Sequence, residues 1–585
     1  LLTRDSFTNM PSLNLRYLYS ISRTQRQLIF KKAHSKTSPH EDALRLGILK
    51  HAILEHGSNG LYSQVYEGKR RSDSTPERLT DDFMSFEQPE HPVPRDSHYH
   101  RELKVTEHLF RPRKTLHPVS FPDLRYYPWT KNVSAEAPYT YLKRYSDQLA
   151  QMQRELEITS PAPTFSNLED TIFLENRYLI HKIKDKLSPM WIDGKPAPHY
   201  FTTLHARAHV VNSDEPDKIR AVFGVPKLLL MAENMFIWPL QASYLNSDSK
   251  YPLLWGNEIM KGGWHRLYPK FSGPTVNTVL SLDWSQFDKR ALHEVIDDVH
   301  IMWKSWFDFS QYEPTVFYPE ASTSVDRIEN LWTWMTDMVK HYPIALPNGD
   351  LYQWTRNGIA SGFMQTQLLD SFVNTIMILT CLAKLGINIE SKHFLIKVQG
   401  DDSIIAFPER IFRMYGTRFL DMLAETAAYY FNAKLSTTKS FISNDAHQQY
   451  VLGYFNRHGI PYRFDDDLIS HLVFPERSQR LEETASACVG IAMASMGCSK
   501  TVYTICSDVY RFIVDELGRE PSVKTLDWMA RTGLFEDVVP PTMPSFDQVR
   551  LMSYSIPERS VNVKERLWPT NPESKNGFHF LRNVC

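Results

Sequence analysis

The chain has 585 residues, 42% of them hydrophobic and 12% aromatic, and a formal net charge of -1. So much apolar side chain excludes an intrinsically disordered chain and allows several domains or one large multi-lobed enzyme. The near-zero charge excludes the global basic signature of a free DNA-binding domain, so any nucleic-acid site has to be a local, internal channel.

Residues 1 to about 115 are polar and rich in Arg, Lys, His and Pro. The stretch Asn14 to Lys36 carries Arg16, Arg23, Arg26, Lys31, Lys32 and Lys36 among Tyr, Leu and Phe. A solvated face is its plainer reading; a basic amphipathic arm on RNA or protein is the sharper one. Gly68 to Pro94 reads as loop. FPDLRYYPWTKNVSAEAPYTY, Phe121 to Tyr141, is dense in aromatics and prolines and predicts an irregular, packed segment, with a helical block after it to Leu156. At Lys218-Ile219-Arg220, alternation puts both cations on one side of an extended segment. With Lys227 they bracket AVFGVP, a row suited to phosphates or to an ordinary charged strand. In NTVLSLDWSQFDKRALHEVIDD, from Asn277, a strand gives way after Ser285 to a helix with Phe287, Ala291, Leu292 and Val295 on one side. Asp283 then ends the strand, and Asp288 falls in the first helical turn, where the helix dipole favours it.

Ser361-Gly362 forms a loop ahead of a long helix on which Thr366, Asp370 and Asn374, four apart, make one polar stripe. On so apolar a helix the stripe lines a cavity; otherwise it faces water. FLIKVQGDDSIIAF, Phe394 to Phe407, reads as a buried hairpin with Gly400-Asp401-Asp402 at its tip. Adjacent carboxylates there are costly unless neutralised, and Mg2+ completed by phosphate is the natural partner; a plain Asp-rich turn is the alternative. An amphipathic helix from Arg410 to Leu435 leads into KLSTTKS, with Lys434 and Lys439. Strands Tyr450 to Phe455 and Ile460 to Phe464 flank a turn at Arg457-His458-Gly459. Residues 465 to 533 read as mostly helical, with a stop at Gly518 and a restart after Pro521. The tail from Val539 reads as Pro-rich and irregular.

The cysteines, Cys381, Cys488, Cys498, Cys506 and Cys585, lack Cys-x-x-Cys spacing. That argues against zinc and a disulfide framework and fits a reducing compartment. No apolar run reads as long enough to span a bilayer, so no membrane partner is expected. The first residue is Leu1 rather than Met, which leaves open a start inside a longer product. P-loop, GxGxxG and GxSxG signatures are missing, which argues against common nucleotide hydrolases, dinucleotide enzymes and esterases.

The succession of cationic strand, Asp283-x-x-x-x-Asp288, Ser361-Gly362-x-x-x-Thr366, Gly400-Asp401-Asp402 and a lysine resembles the palm motifs of viral RNA-dependent RNA polymerases. The phrases FPDLRYYPWT, DKIRAVFGVPK, LDWSQFD, SGFMQTQLLDSFVN, QGDDSII and LGYFNRHGIPYR are similar to the polymerase of partitiviruses, double-stranded RNA viruses of fungi and plants. The resemblance spans about Phe121 to Phe464. It implies an α+β right-hand fold with an antiparallel palm sheet and largely helical fingers and thumb. Expected boundaries are an N-terminal arm bridging fingers and thumb at 1–115, fingers at 116–275 and 311–357, palm at 276–310 and 358–465, thumb at 466–538, and a tail at 539–585. It implies an RNA-directed RNA polymerase that transcribes and replicates a double-stranded RNA genome inside the virion, in the host cytoplasm. RNA template and product, ribonucleoside triphosphates and capsid protein are the expected partners. Two Mg2+ or Mn2+ ions are expected on Asp283 and Asp401, with Asp402 accessory. Lys218, Arg220 and Lys227 would meet the triphosphate, and Lys439, or its rival Lys434, would protonate pyrophosphate. Asp288, Ser361, Thr366 and Asp370 would read the ribose, with Asn374 a structural support and Gly362 letting the loop after Ala360 flex as template advances. Related polymerases often carry Asn where this chain has Asp370. A reverse transcriptase, or a non-catalytic protein with a decayed polymerase fold, are the rival readings.

Overall fold

The computed structural model describes residues 13–31, 37–58, 60–157, 161–245, 250–315, 318–522 and 542–554, a mixed α+β chain. At its centre lies a four-stranded antiparallel sheet in the order Leu395–Gln399, Asp402–Phe407, Thr278–Ser281, Phe441–Ser443. The hairpin turns in two residues, with Gln399 facing Asp402. Gly400 supplies the positive φ, +58°, that so short a turn demands. Strand alternation divides the side chains between two cores. Leu280, Ile405 and Phe407 join the large one; Val279, Ile404 and Ala406 join a smaller one with Trp264, Phe271 and Tyr454. With both faces covered, the strands read as continuous apolar runs.

The helix Thr366–Lys384 packs within the large core and is buried along almost its whole length. Contrary to the sequence expectation, it is long and apolar enough to cross a membrane, but 89% of its most apolar window is buried inside the protein. A helix packed on every side needs the same composition as a spanning one.

A second sheet runs Leu15–Ser20, Asp350–Trp354, Ile344–Ala345, Thr202–Ala208, Ile219–Gly224, antiparallel except between Ile344–Ala345 and Thr202–Ala208. Helices Pro39–His56 and Leu61–Tyr66 share a separate core with Asp465–Val473, Leu481–Ser495 and Lys500–Arg511. Arg45 is buried there, donating from Nε to Thr484 Oγ1 at 2.9 Å and from Nη2 to the Leu472 carbonyl at 2.6 Å.

Several local expectations are corrected. The 68–94 stretch is not loop throughout: it holds the strand Lys69–Arg71 and the helix Pro76–Met84, capped by Thr75, with Leu79 and Phe83 buried. The helix expected from Ser285 breaks at Ala291 and Leu292, which are extended, and resumes over His293–Lys304. There the Ala291 carbonyl accepts from Gly358 N–H and His293 N–H donates to the Arg356 carbonyl, a tertiary pairing that outweighs helical continuity. Gly416 splits the next helix into Ile411–Tyr415 and Arg418–Phe431. The tail contains the helix Phe546–Leu551, closed by a Ser545–Gln548 capping box. Lys32, Lys36, the restart after Pro521 and most of the tail lie outside the described residues.

Candidate active site

Register assembles the acidic residues. Leu280 faces Ile405 across the central sheet, and continuing that pairing past Ser281 carries Asp283 to the level of the hairpin tip. Asp283 is held by its own backbone: its N–H donates to Ser440 Oγ at 2.9 Å and its carbonyl accepts from Ser436 N–H at 2.8 Å. Trp284–Ser285 pairs with Lys434–Leu435. Gln286 then turns the chain with φ 55°, ψ 44°, a left-handed conformation uncommon outside glycine, and Asp288 follows in a short helix. Asp283, Asp288, Asp370 and Asp401 line one cavity of about 520 Å³ together with Lys218, Arg220, Ser361 and Lys439. That volume suits a nucleotide-sized ligand.

The wall is shaped by backbone contacts. A Cβ on Gly362 would stand 2.2 Å from the Phe223 carbonyl oxygen, so only glycine lets this loop lie against the cationic strand. Ser361 Oγ donates to the Ala221 carbonyl at 3.4 Å. Thr366 Oγ1 donates to the Ala360 carbonyl at 2.6 Å, which closes the loop onto its helix. Asn374 ties three elements: its Nδ2 donates to the Gly400 and Asp402 carbonyls at 3.0 and 3.3 Å, and its Oδ1 accepts from Trp284 Nε1 at 2.9 Å. Gly400 N–H donates to Ser371 Oγ at 2.8 Å. The helix thus clamps the tip that carries Asp401.

Not every expected residue reaches the cavity. Lys227 is 5% exposed; its Nζ donates to the Ser134 carbonyl at 3.1 Å and lies over the Phe165 ring. It satisfies a backbone carbonyl and is not among the residues that line the cavity with Lys218 and Arg220. Asp402 is turned by strand alternation toward the Leu452 N–H, which donates to its carboxylate. Lys434 borders a separate, mainly apolar cavity beside Trp284, Phe287 and Met377, whereas Lys439 lines the main one. Among the described residues, no three His, Cys, Asp or Glu side chains form a metal-binding group, so Asp283, Asp401 and Asp402 are not preassembled as a three-ligand cage.

The electrostatics are those of carboxylates short of positive charge. Burial, then Asp288 and Asp283, push Asp401 up to about 6. Burial, then Asp401 and Asp283, push Asp402 up to about 7. Asp283 is raised by burial, with Lys439 and Lys218 opposing. Asp288 and Asp370 are both raised, first by burial, and hydrogen-bond to each other; Asp370 is raised the more, with the Asp288 and Asp401 charges adding to burial. Asp370 Oδ1 is buried without a partner. Hard oxygen donors, crowded and under-neutralised, fit a divalent cation whose shell substrate phosphate completes.

Asp82, Phe86, His209, Lys289 and Ile359 also line the cavity and were missed from sequence. Lys289 Nζ pairs with Asp82 Oδ1 at 2.6 Å and lies over the Phe86 ring. The sequence signal for Asp82 was the Thr75-Pro76 cap followed by Leu79 and Phe83, four apart.

The family model described as viral RNA-dependent RNA polymerase matches residues 58–449. The chain belongs to this family. The matched span contains every cavity residue named above, Asp82 included. The polymerase is 30% identical over 509 residues to the RNA-directed RNA polymerase of White clover cryptic virus 1 (isolate Boccardo/2004), covering 80% of this chain and 81% of that one. It is 25% identical over 438 residues to the RNA-directed RNA polymerase of Atkinsonella hypoxylon virus (isolate 2H), covering 67% of this chain and 64% of the relative. The resemblance carried by the sequence phrases is borne out, and the chain is an RNA-directed RNA polymerase.

Proposed function

We propose that the polymerase adds ribonucleotides by in-line phosphoryl transfer with two divalent ions, and that it both transcribes and replicates a double-stranded RNA genome. The observation that carries this is the meeting of Asp283 and Asp401 with Lys218, Arg220 and Lys439 on one cavity. Asp283 and Asp401 would hold Mg2+ or Mn2+, with Asp402 accessory from behind. Bound there, the ions would stabilise the attacking and leaving oxygens of the displacement. Little covalent chemistry is then left to the protein beyond positioning and charge.

Lys218 and Arg220 offset the triphosphate charge, Arg220 with a planar fork suited to phosphate oxygens. Lys439 donates a proton to the departing pyrophosphate. Asp288, Asp370 and Ser361 read the ribose, with Thr366, Gly362 and Asn374 fixing the wall around them. The central sheet and the Thr366–Lys384 helix are the palm; the five-stranded sheet and its helices are the fingers; the helices from Asp465 to Arg511 are the thumb, bridged to the fingers by the N-terminal arm. The enzyme works inside the virus particle, next to capsid protein, on packaged RNA and ribonucleoside triphosphates.

Replacing Asp401 with Asn tests the reading. Template-directed RNA synthesis should fall at least a thousandfold while thermal melting in the absence of metal stays within a few degrees of the parent, because only an ion-directed charge is lost. RNA synthesis near the parent rate would falsify the assignment.

A further inference from the structure

The cavity wall also carries a histidine. His209 follows the strand Thr202–Ala208, beside Lys218 and Arg220. Its place is fixed by backbone: its N–H donates to the Lys218 carbonyl at 3.0 Å and its carbonyl accepts from Ser72 N–H at 2.8 Å. The ring has no such tie. Nε2 is buried without a hydrogen-bond partner.

The surroundings are cationic. Lys218 and Arg220 act on the imidazole from the neighbouring strand, Arg207 from its own, and Arg71 from the strand Lys69–Arg71. Glu476 pairs with Arg207 at 2.9 Å and attracts Arg71, while Asp288, Asp370 and Asp401, on the same cavity, act on Arg220. Burial first, then the four cations, hold the imidazole down at about 4, so it is neutral at physiological pH. The charges acting on the ring itself are these four cations, although Lys218 and Arg220 also feel the cavity aspartates. Such a pocket suits an anion, and a polyphosphate arriving on Lys218 and Arg220 reverses the field at the ring.

We propose that His209 is a further triphosphate-binding residue, neutral in the free enzyme, which takes up a proton from solvent as the incoming nucleotide docks. This rests on the nucleotide-transfer reading. The added imidazolium contact strengthens binding wherever the free ring is neutral and the occupied ring is charged. Affinity therefore weakens as pH rises through the occupied-state value, by up to tenfold per pH unit. A permanently charged lysine or arginine gives no such dependence.

The experiment is steady-state RNA synthesis at saturating template, with nucleotide varied between pH 6.0 and 8.5, for the parent, His209→Gln and His209→Arg. For the parent, KM is expected to rise about tenfold more than the triphosphate's own titration accounts for. The Gln variant should have a KM about tenfold above the parent at pH 6.5, no such rise, and kcat within about twofold. The Arg variant should keep a low KM with no such rise, a rescue that a merely structural role would not produce. Equal KM and equal slope in parent and Gln variant would overturn the proposal, as would Gln and Arg variants that behave alike. Should neither variant melt like the parent, the parent profile decides: a KM no steeper than free triphosphate overturns it. If the parent makes no RNA on any template, the transfer reading falls and this inference with it; if it makes RNA with a pH-insensitive KM, His209 alone is misassigned.

Discussion

At the scale of single residues, Asp288 and Asp370 meet on the cavity wall as two buried carboxyls hydrogen-bonded to each other. Two enclosed carboxyls in contact oppose each other's ionisation, and burial with the Asp288 and Asp401 charges raises Asp370 the more, which favours an O–H there. That O–H is the donor an asparagine amide would otherwise supply. Asp370→Asn is therefore expected to keep the preference for ATP over dATP, with kcat/KM within about threefold of the parent, whereas Asp288→Ala should erode that preference about tenfold, the worth of one good hydrogen bond. Competing kcat/KM measurements decide; an unchanged ratio in the alanine variant removes Asp288 from sugar recognition. The crowded acids at the hairpin tip also carry a stability signature. An unfolded Asp titrates near 3.9, while Asp401 and Asp402 sit at about 6 and about 7 in the fold. Between those values the folded chain holds protons that the unfolded chain has released, so this contribution is present at low pH and is lost as pH rises toward 7. Bound cations oppose that loss. The rise in Tm on adding Mg2+ should accordingly be larger at pH 8 than at pH 5.5; melting curves with equal shifts at both would contradict it.

At the scale of elements, the Thr366–Lys384 helix governs the geometry of the hairpin tip. Asn374 serves two carbonyls and one indole N–H from positions buried in the core. Asn374→Ala leaves Trp284 Nε1 and the Gly400 carbonyl unsatisfied and should cost about 1–3 kcal/mol of stability. Because Asp401 rides on the released turn, RNA synthesis should drop more than nucleotide affinity does. Denaturant unfolding alongside kcat and KM checks both halves; a stability loss with unchanged kcat would mean that the tip is held by other contacts. This element was legible in the sequence, since four-residue spacing put Thr366, Asp370 and Asn374 on one stripe. What each does with its side chain was not, because that depends on which backbone passes opposite. The hairpin was legible too, from two apolar β-branched runs around Gly400. The strand-to-helix passage at 285–295 was misread because Phe287, Ala291, Leu292 and Val295 fit helical spacing; the Arg356–Gly358 segment that interrupts it lies more than sixty residues on in the chain. Lys227 carried the right charge in the right neighbourhood but turned to Ser134, and His209 carried no pattern at all.

The whole molecule is closed by its beginning. The strand Leu15–Ser20 completes the five-stranded sheet, and helices from the first seventy residues complete the core of the C-terminal helices. Polar contacts follow the same seam, a hydrogen bond between His56 and Asp508 at 2.8 Å and an ion pair between Lys69 and Asp466 at 3.4 Å. Arg45 is its most committed residue, with its guanidinium fully inside. Arg45→Ala strands the Leu472 carbonyl and removes a charge-assisted bond, which should lower stability by about 1.5–3 kcal/mol. If the seam aligns the two halves, processive synthesis on long templates should suffer before addition of a single nucleotide does; gel analysis of product length separates the two. An early N-terminal segment that reads as a polar preface is thus, in the folded state, the partner of helices more than four hundred residues later.

That partnership sets an order on biosynthesis. While the ribosome is still translating the middle of the message, Leu49, Ile53 and Leu61 have no surface to rest on, because Leu468, Val489 and Ile505 do not yet exist. The nascent polypeptide has to carry an uncovered oily stripe for most of its synthesis, a ready target for holding chaperones. A translation product ending before those helices lacks the residues that cover Leu49, Ile53 and Leu61.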